Sequence, residues 1–249
     1  MTTIKSKVQK PGALAYAKGL LFGPPKTGKT TAGASGAKTL LIELEPDGDV
    51  TTSLRGRKDV DVFKPSTPRE LQGAVESLHG AEKNTWDFVT VDSITYMVEF
   101  LAGDTISKKI TADEDPRRAY QKVGVAVNQI LGDIMLLPMH VVILSQMKIL
   151  DGSQEGTPLN PEHGQYPLTL DVSPMVYRMI APAVSFIGRT YKKREYVEEA
   201  GKKKIATGFY VSFDDGGRSP AGSRLELPAE MANFDMNKVA ALLTKEGGK

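Results

Sequence analysis

Gly19-Leu20-Leu21-Phe22-Gly23-Pro24-Pro25-Lys26-Thr27-Gly28-Lys29-Thr30-Thr31 is the stretch that decides the fold. An apolar run leads into two glycines separated by four residues. Lys29 and Thr30 follow, then Thr31-Ala32-Gly33-Ala34-Ser35. The order strand, glycine loop, helix start is that of a P-loop. Each residue type has a chemical reason. Gly23 and Gly28 permit turns that a Cβ obstructs. Amide N–H groups from Thr27 to Thr31 can then converge on phosphate oxygens, aided by the positive end of the helix that follows. Lys29 can reach the β- and γ-phosphates, and the Thr30 hydroxyl can bind Mg²⁺. Pro24 and Pro25 donate no N–H, so they stiffen the loop without joining its donors. The expected phosphate-binding residues are Gly23, Pro24, Pro25, Lys26, Thr27, Gly28, Lys29, Thr30 and Thr31.

Outward from this loop the chain alternates strands and helices. Thr39-Leu40-Leu41-Ile42-Glu43-Leu44 is a continuous apolar run, as in a strand buried on both faces of a parallel sheet. Val60-Asp61-Val62-Phe63 is a second short strand. Thr67 as N-cap and Pro68 in the first turn predict a helix over 68–78 with Leu71, Val75 and Leu78 on one face. Phe88-Val89-Thr90-Val91-Asp92 is a strand ending in an acid, and 93–102 reads as helix. Residues 107–118 read as a charged loop and 119–135 as a helix with Val123, Val127, Ile130, Leu131 and Ile134 in a stripe. His140 to Gln146 is a buried strand. The Gly/Pro-rich stretch 147–173 reads as a long loop, functional or mobile. Ser173-Pro174 opens a short helix. Three strands (184–187, 191–197 and 205–213) follow, the last two forming a hairpin around Lys202-Lys203-Lys204. A helix over 237–245 ends the chain. This pattern predicts α/β architecture with a mainly parallel sheet, then an antiparallel C-terminal part. The domain reading is an arm at 1–18, the nucleotide-binding domain at 19–226 and a helical tail at 227–249.

Composition removes several classes. The chain has 249 residues, a net charge of +2 and no cysteine. Disulfides, thiol catalysis and zinc-thiolate sites are excluded. The small net charge allows only a local basic surface. His79, His140 and His163 show no metal-ligand spacing. Residues 1–10 are polar and carry three lysines, unlike a secretory signal. The longest apolar stretch, 130–144, is broken by Gly132, Asp133, Pro138 and His140, too interrupted to span a bilayer. The expectation is a cytoplasmic protein without membrane contact.

Acids at strand ends supply the remaining chemistry. Asp92 is placed to hold Mg²⁺ and its water, with a helix N-cap as the competing role. Glu45, just past the second strand, can orient or deprotonate an attacking water, and Glu43 is the competing base. Gln146 ends the long strand at 140–146 and can sense a γ-phosphate and pass its loss to the following loop.

These motifs resemble the RecA family. Leu41-Ile42-Glu43-Leu44-Glu45 is similar to that family's strand ending in the catalytic Glu. Phe88 to Thr95 is similar to its Asp-Ser segment, and Ile143 to Lys148 to its strand ending in a switch Gln. Size and the early P-loop resemble the small phage-encoded RecA-core ATPases of the Sak group. The resemblance implies a RecA-like ATPase core with ATP and Mg²⁺ as cofactors. Glu45, Lys29 and Gln146 would be catalytic, and Thr30 and Asp92 would hold the metal. It implies single-stranded DNA as partner, a homo-oligomeric ring or filament, a single-strand-binding protein as associate, and a phage recombination, annealing or repair role in a bacterial cytoplasm. DNA contacts would come from 147–173 and from Lys108, Lys109, Arg117 and Arg118, with Tyr120 or Tyr166 stacking on bases. A cation from a neighbouring subunit would be Lys192, Lys193, Arg218 or Arg224. The sequence departs from RecA in lacking a clear N-terminal polymerisation domain and a large C-terminal DNA-binding domain. Two alternatives stand beside this reading: a P-loop kinase for a small molecule with a lid at 178–194, and a nucleotide-dependent loader with little turnover.

Overall fold

Alternating side chains of β1 (Lys18–Gly23) divide the molecule into two layers. Leu20 and Phe22 enter one apolar cluster, and Leu21 enters another on the opposite face. A computed structural model describes residues 16–46, 50–109, 116–150, 166–199 and 202–246. The expected arm up to residue 15 and the segment 151–165 lie outside the described residues, as do the side chains of Lys108, Lys109, Arg117, Arg118, Tyr120, Lys202 and Lys203.

The chain continues through α1 (Lys29–Gly33), β2 (Thr39–Glu43), α2 (Val50–Ser53), β3 (Val60–Phe63), α3 (Pro68–His79), β4 (Phe88–Asp92), α4 (Ile94–Lys109), α5 (Pro116–Met135) and β5 (His140–Ile149). Then come β6 (Leu168–Leu170), α6 (Pro174–Ile180), β7 (Phe186–Glu199), β8 (Lys202–Ser212), β9 (Gly222–Ser223), β10 (Glu230–Ala232) and α7 (Met236–Glu246). The sheet order is β10-β8-β7-β1-β5-β4-β2-β3. From β7 to β3 every neighbouring pair is parallel, whereas β7–β8 and β8–β10 are antiparallel. This is the mainly parallel α/β sheet with an antiparallel C-terminal extension.

Helices α3, α4, α5 and α6 cover one face through Leu71, Met97, Val127 and Ile180, among others. Met236, Val239 and Leu243 of α7 cover the other, against Leu21, Leu144 and Val211. Full burial of each such side chain contributes about 1.5–3 kcal/mol. Residues expected to form a helical tail thus add strand β10 to the sheet edge and anchor α7 in the core. No helix among the described residues is long and apolar enough to cross a membrane.

Three local readings change. Helix α4 runs to Lys109 and α5 begins at Pro116, so residues 107–109 and 116–118 are helical rather than loop, and 110–115 lie outside the described residues. Strand β5 extends to Ile149 and pairs with β6, so both ends of the 147–173 stretch are ordered as an antiparallel pair. The two short strands expected at 184–187 and 191–197 are one strand, β7. Its middle is polar in sequence, but its backbone is held by β1 and β8.

Candidate functional site

Parallel register brings the strand ends to one edge. Gly23 lies opposite Gln146 across β1–β5, and Glu43 lies opposite Asp92 across β2–β4. The Leu44 N–H donates to the Asp92 carbonyl at 2.7 Å, which fixes Glu45 beside that edge. The Gln146 N–H donates to Thr95 Oγ1 at 3.0 Å, which ties the end of β5 to the start of α4.

The loop from Gly23 to Gly28 is closed by its own groups. Thr27 Oγ1 donates to the Pro24 carbonyl at 2.7 Å. Gly28 caps α1 at φ 83°, a left-handed position that favours glycine. Gly23 is required for a different reason: a Cβ there would lie 2.2 Å from Thr190 Oγ1. Thr190, on β7, sits 2.7 Å from Thr27 Oγ1 and donates to the Phe22 carbonyl at 3.3 Å. It braces the loop from the neighbouring strand. Nothing in its local sequence marks it, because only the β1–β7 pairing brings it there.

Lys29 is buried, and its Nζ donates to the Gly23 and Pro24 carbonyls at 3.0 and 2.9 Å. Burial lowers its pKa, while Asp92 and Glu45 act the other way. Thr30 Oγ1 donates to Asp92 Oδ2 at 2.6 Å. Burial pushes the Asp92 carboxyl up to about 6, against the lowering effect of the Thr30 hydrogen bond; Glu45 adds a further upward push. A hydroxyl and a carboxylate so apposed, completed by phosphate oxygens and water, form the donor set that Mg²⁺ takes. Gln146 Nε2 donates to Glu45 Oε1 at 3.3 Å, and Gln146 Oε1 is buried with no hydrogen-bond partner among the described residues. Glu43 is buried and lies 3.7 Å from Lys64 Nζ. Lys29, Thr30, Glu45, Asp92 and Gln146 are therefore one cluster.

The expected cations fall apart by environment. Lys193 Nζ lies 3.6 Å from both Glu195 and Glu230. The Arg224 side chain donates to the Pro182 carbonyl at 2.8 Å. Arg218 is exposed, and its carbonyl accepts from the Leu168 N–H at the start of β6 at 3.0 Å. Lys192 is exposed over the Phe209 ring, with its Nζ 5.3 Å from the centroid. Arg194, which the sequence did not single out, is exposed two residues further along the same face of β7. The proposed lid at 178–194 consists largely of α6 and the core strand β7. Tyr166 is half-buried just ahead of β6, and Lys148 is exposed on β5.

A family model described as an AAA domain, AAA_24, matches residues 15–224. Among solved structures the chain is similar to the crystal structure of the RadB recombinase, at 17% identity over 81% of this chain and 88% of that one, with a TM-score of 0.41. A comparison with curated proteins finds no match.

Proposed function

The chain belongs to this family of AAA domains, and we propose that it is a Mg²⁺-dependent ATPase that acts on single-stranded DNA as a homo-oligomer, in phage recombination, annealing or repair. One observation carries the reading: the Thr30–Asp92 and Gln146–Glu45 hydrogen bonds stand together at the sheet edge around buried Lys29. Phosphates entering the loop draw Lys29 Nζ from the Gly23 and Pro24 carbonyls. A triphosphate is a stronger acceptor than two carbonyls, because hydrogen bonds between charged groups are the strong ones. Thr30 and Asp92 would hold Mg²⁺, which when bound neutralises phosphate charge. Glu45 accepts a proton from the attacking water as the bond between the γ-phosphorus and the bridging oxygen breaks, leaving ADP and inorganic phosphate. Gln146 holds Glu45 in place and offers its unpaired Oε1 to that water. When phosphate leaves, Gln146 passes the change along β5 towards β6. A cation from a neighbouring copy, Lys192 or Arg194, would meet the developing charge.

The test is ATP turnover with and without single-stranded DNA, in the wild type and in Lys29→Ala. Turnover that DNA stimulates and that Lys29→Ala abolishes is expected. Turnover indifferent to DNA would remove the nucleic-acid part of the reading. Phosphate transfer to a metabolite would replace hydrolysis with the kinase chemistry. Tight ATP binding with negligible turnover would make the protein a loader.

A further inference from the structure

A second cavity adjoins the phosphate loop and is not used by any step above. It encloses about 210 Å³, and its walls include Gly28, Thr31, Arg57, Phe209, Asn233 and Phe234. Gly28 and Thr31 belong to the phosphate loop and the first turn of α1, so the cavity opens where the inner end of a bound triphosphate would lie. The acids Glu45 and Asp92 stand beyond β5, on the β4 and β2 side of β1, whereas Phe209 belongs to β8 on the other side. A nucleotide with its γ-phosphate near Asp92 therefore directs its remaining end towards Phe209.

The walls suit a flat aromatic group. Phe209 is 43% exposed, and its ring comes so close to the loop that a Cβ on Gly28 would lie 3.0 Å from Phe209 Cδ1. Lys192 stacks its ammonium over this ring. Asn233 has φ 47° and donates its N–H to the Phe209 carbonyl at 2.9 Å, so the two walls are tied by backbone. Its side-chain amide is exposed and makes no hydrogen bond among the described residues. Phe234 closes the floor, packed against Phe186 and Phe213. Arg57, held by Asp59 at 2.7 Å and by the Gly36 carbonyl, forms the rim.

We propose that this cavity is the nucleobase site. A purine stacks on Phe209, and the Asn233 amide reads its edge. An amide offers one donor and one acceptor, which matches the N6 amino group and N7 of adenine. Guanine presents two acceptors on the same edge. Adenine is therefore the preferred base, and the antiparallel C-terminal extension supplies the selecting half of a site whose phosphate half lies on β1 and α1.

The inference rests on the P-loop reading, and inorganic tripolyphosphate separates the two. Dissociation constants with Mg²⁺ are measured by calorimetry for ATP, GTP and tripolyphosphate, using the wild type, Phe209→Ala, Phe209→Trp and Asn233→Gly. Glycine suits the left-handed position of Asn233. Phe209→Ala should weaken ATP about tenfold or more and leave tripolyphosphate unchanged, the unchanged value also reporting an intact fold. Phe209→Trp should retain ATP affinity. Asn233→Gly should bring ATP and GTP affinities together. Unchanged ATP affinity in Phe209→Ala overturns the base site alone. Equal loss of ATP and tripolyphosphate in Phe209→Ala also overturns it, because the ring would then act only through the shape of the loop. Failure of the wild type to bind either ligand overturns the P-loop reading and the base site with it.

Discussion

Glu43 and Glu45 stand two residues apart at the end of β2, yet they meet different surroundings. Glu43 is buried within the strand and faces Lys64 at 3.7 Å. Glu45 lies past the strand and accepts from Gln146. Proton abstraction from water needs a carboxylate that water can reach, and ion pairing to Lys64 holds Glu43 away from that task. Glu45→Gln keeps an oxygen for Gln146, so ATP affinity should stay within about threefold. kcat should fall by about 10²- to 10⁴-fold, the range for loss of a general base. Glu43→Gln should lower kcat by less than about tenfold; steady-state turnover and equilibrium binding read both. Another residue answers to pH. Lys18 donates to the Leu137 and Met139 carbonyls at 2.7 Å, and burial lowers its pKa to about 8. The folded value lies below the unfolded one, so the unfolded chain binds more protons between about pH 8 and 10.4 and stability rises with pH in that window. The cost of charged Lys18 is fully present below pH 8. With partial solvent screening discounted, the gain is about 1–2 kcal/mol. Urea midpoints at pH 7 and 9.5 should rise more steeply in the wild type than in Lys18→Met.

Elements differ in how openly the sequence declares them. Helix α3 was legible to its caps, because its start is fixed by side chains next to it in the chain. Thr67 accepts from the Glu70 N–H at 3.2 Å, and Glu70 reaches back to the Ser66 N–H at 2.8 Å. Thr67→Ala should cost about 1 kcal/mol, lowering Tm by about 2–4 °C in a chain of this size without altering ATP affinity, as a thermal melt and a binding titration would show. Strands β2, β4 and β5 were legible for the same local reason, as apolar runs ending in polar groups, and those ends are the acids and amide of the site. Strand β7 was not. Gly188-Arg189-Thr190 interrupts its apolar pattern, and the strand persists because β8 supplies eleven successive cross-strand partners from Arg189 to Glu199. The helical parts of α4 and α5 within 107–118 were hidden by charged residues that carry no apolar periodicity. The Phe209–Asn233 cavity was invisible for a related reason. Its two walls are 24 residues apart (233 minus 209) and meet only because β10 pairs with β8, with Ala232 opposite Tyr210. Motif spacing reports a site built within one turn, as between Gly23 and Thr30, and is silent on one built by strand pairing.

At the scale of the whole molecule the β7–β8 hairpin is the element that points away from its own core. Tyr196 is 79% exposed and Ile205 is 59% exposed. Its two faces differ in charge. On one, Lys193 pairs with Glu195 and Glu230, and the Tyr191 hydroxyl donates to Glu230. On the other, Lys192 and Arg194 lie opposite Phe209 and Thr207, and neither has an ion-pair partner among the described residues. Cations left without carboxylates on an exposed hairpin are available to an anion outside the chain, and the phosphates of the next copy are such an anion in a head-to-tail ring or filament. Arg194→Ala should then lower kcat by about 10³-fold or more, as for a cation supplied in trans, with ATP affinity held within about threefold. Lys29→Ala should be equally inactive while keeping its hairpin. Mixing the two inactive proteins distinguishes action across an interface from action within one chain. If Arg194 acts across it, some interfaces in the mixture join an intact loop from Arg194→Ala to an intact hairpin from Lys29→Ala. With random assembly of equal amounts, one half times one half of the sites are complete, so turnover should recover to about a quarter of the wild-type value in a head-to-tail assembly. If Arg194 serves only its own loop, no subunit in the mixture has both groups, and turnover stays at the level of the separate variants.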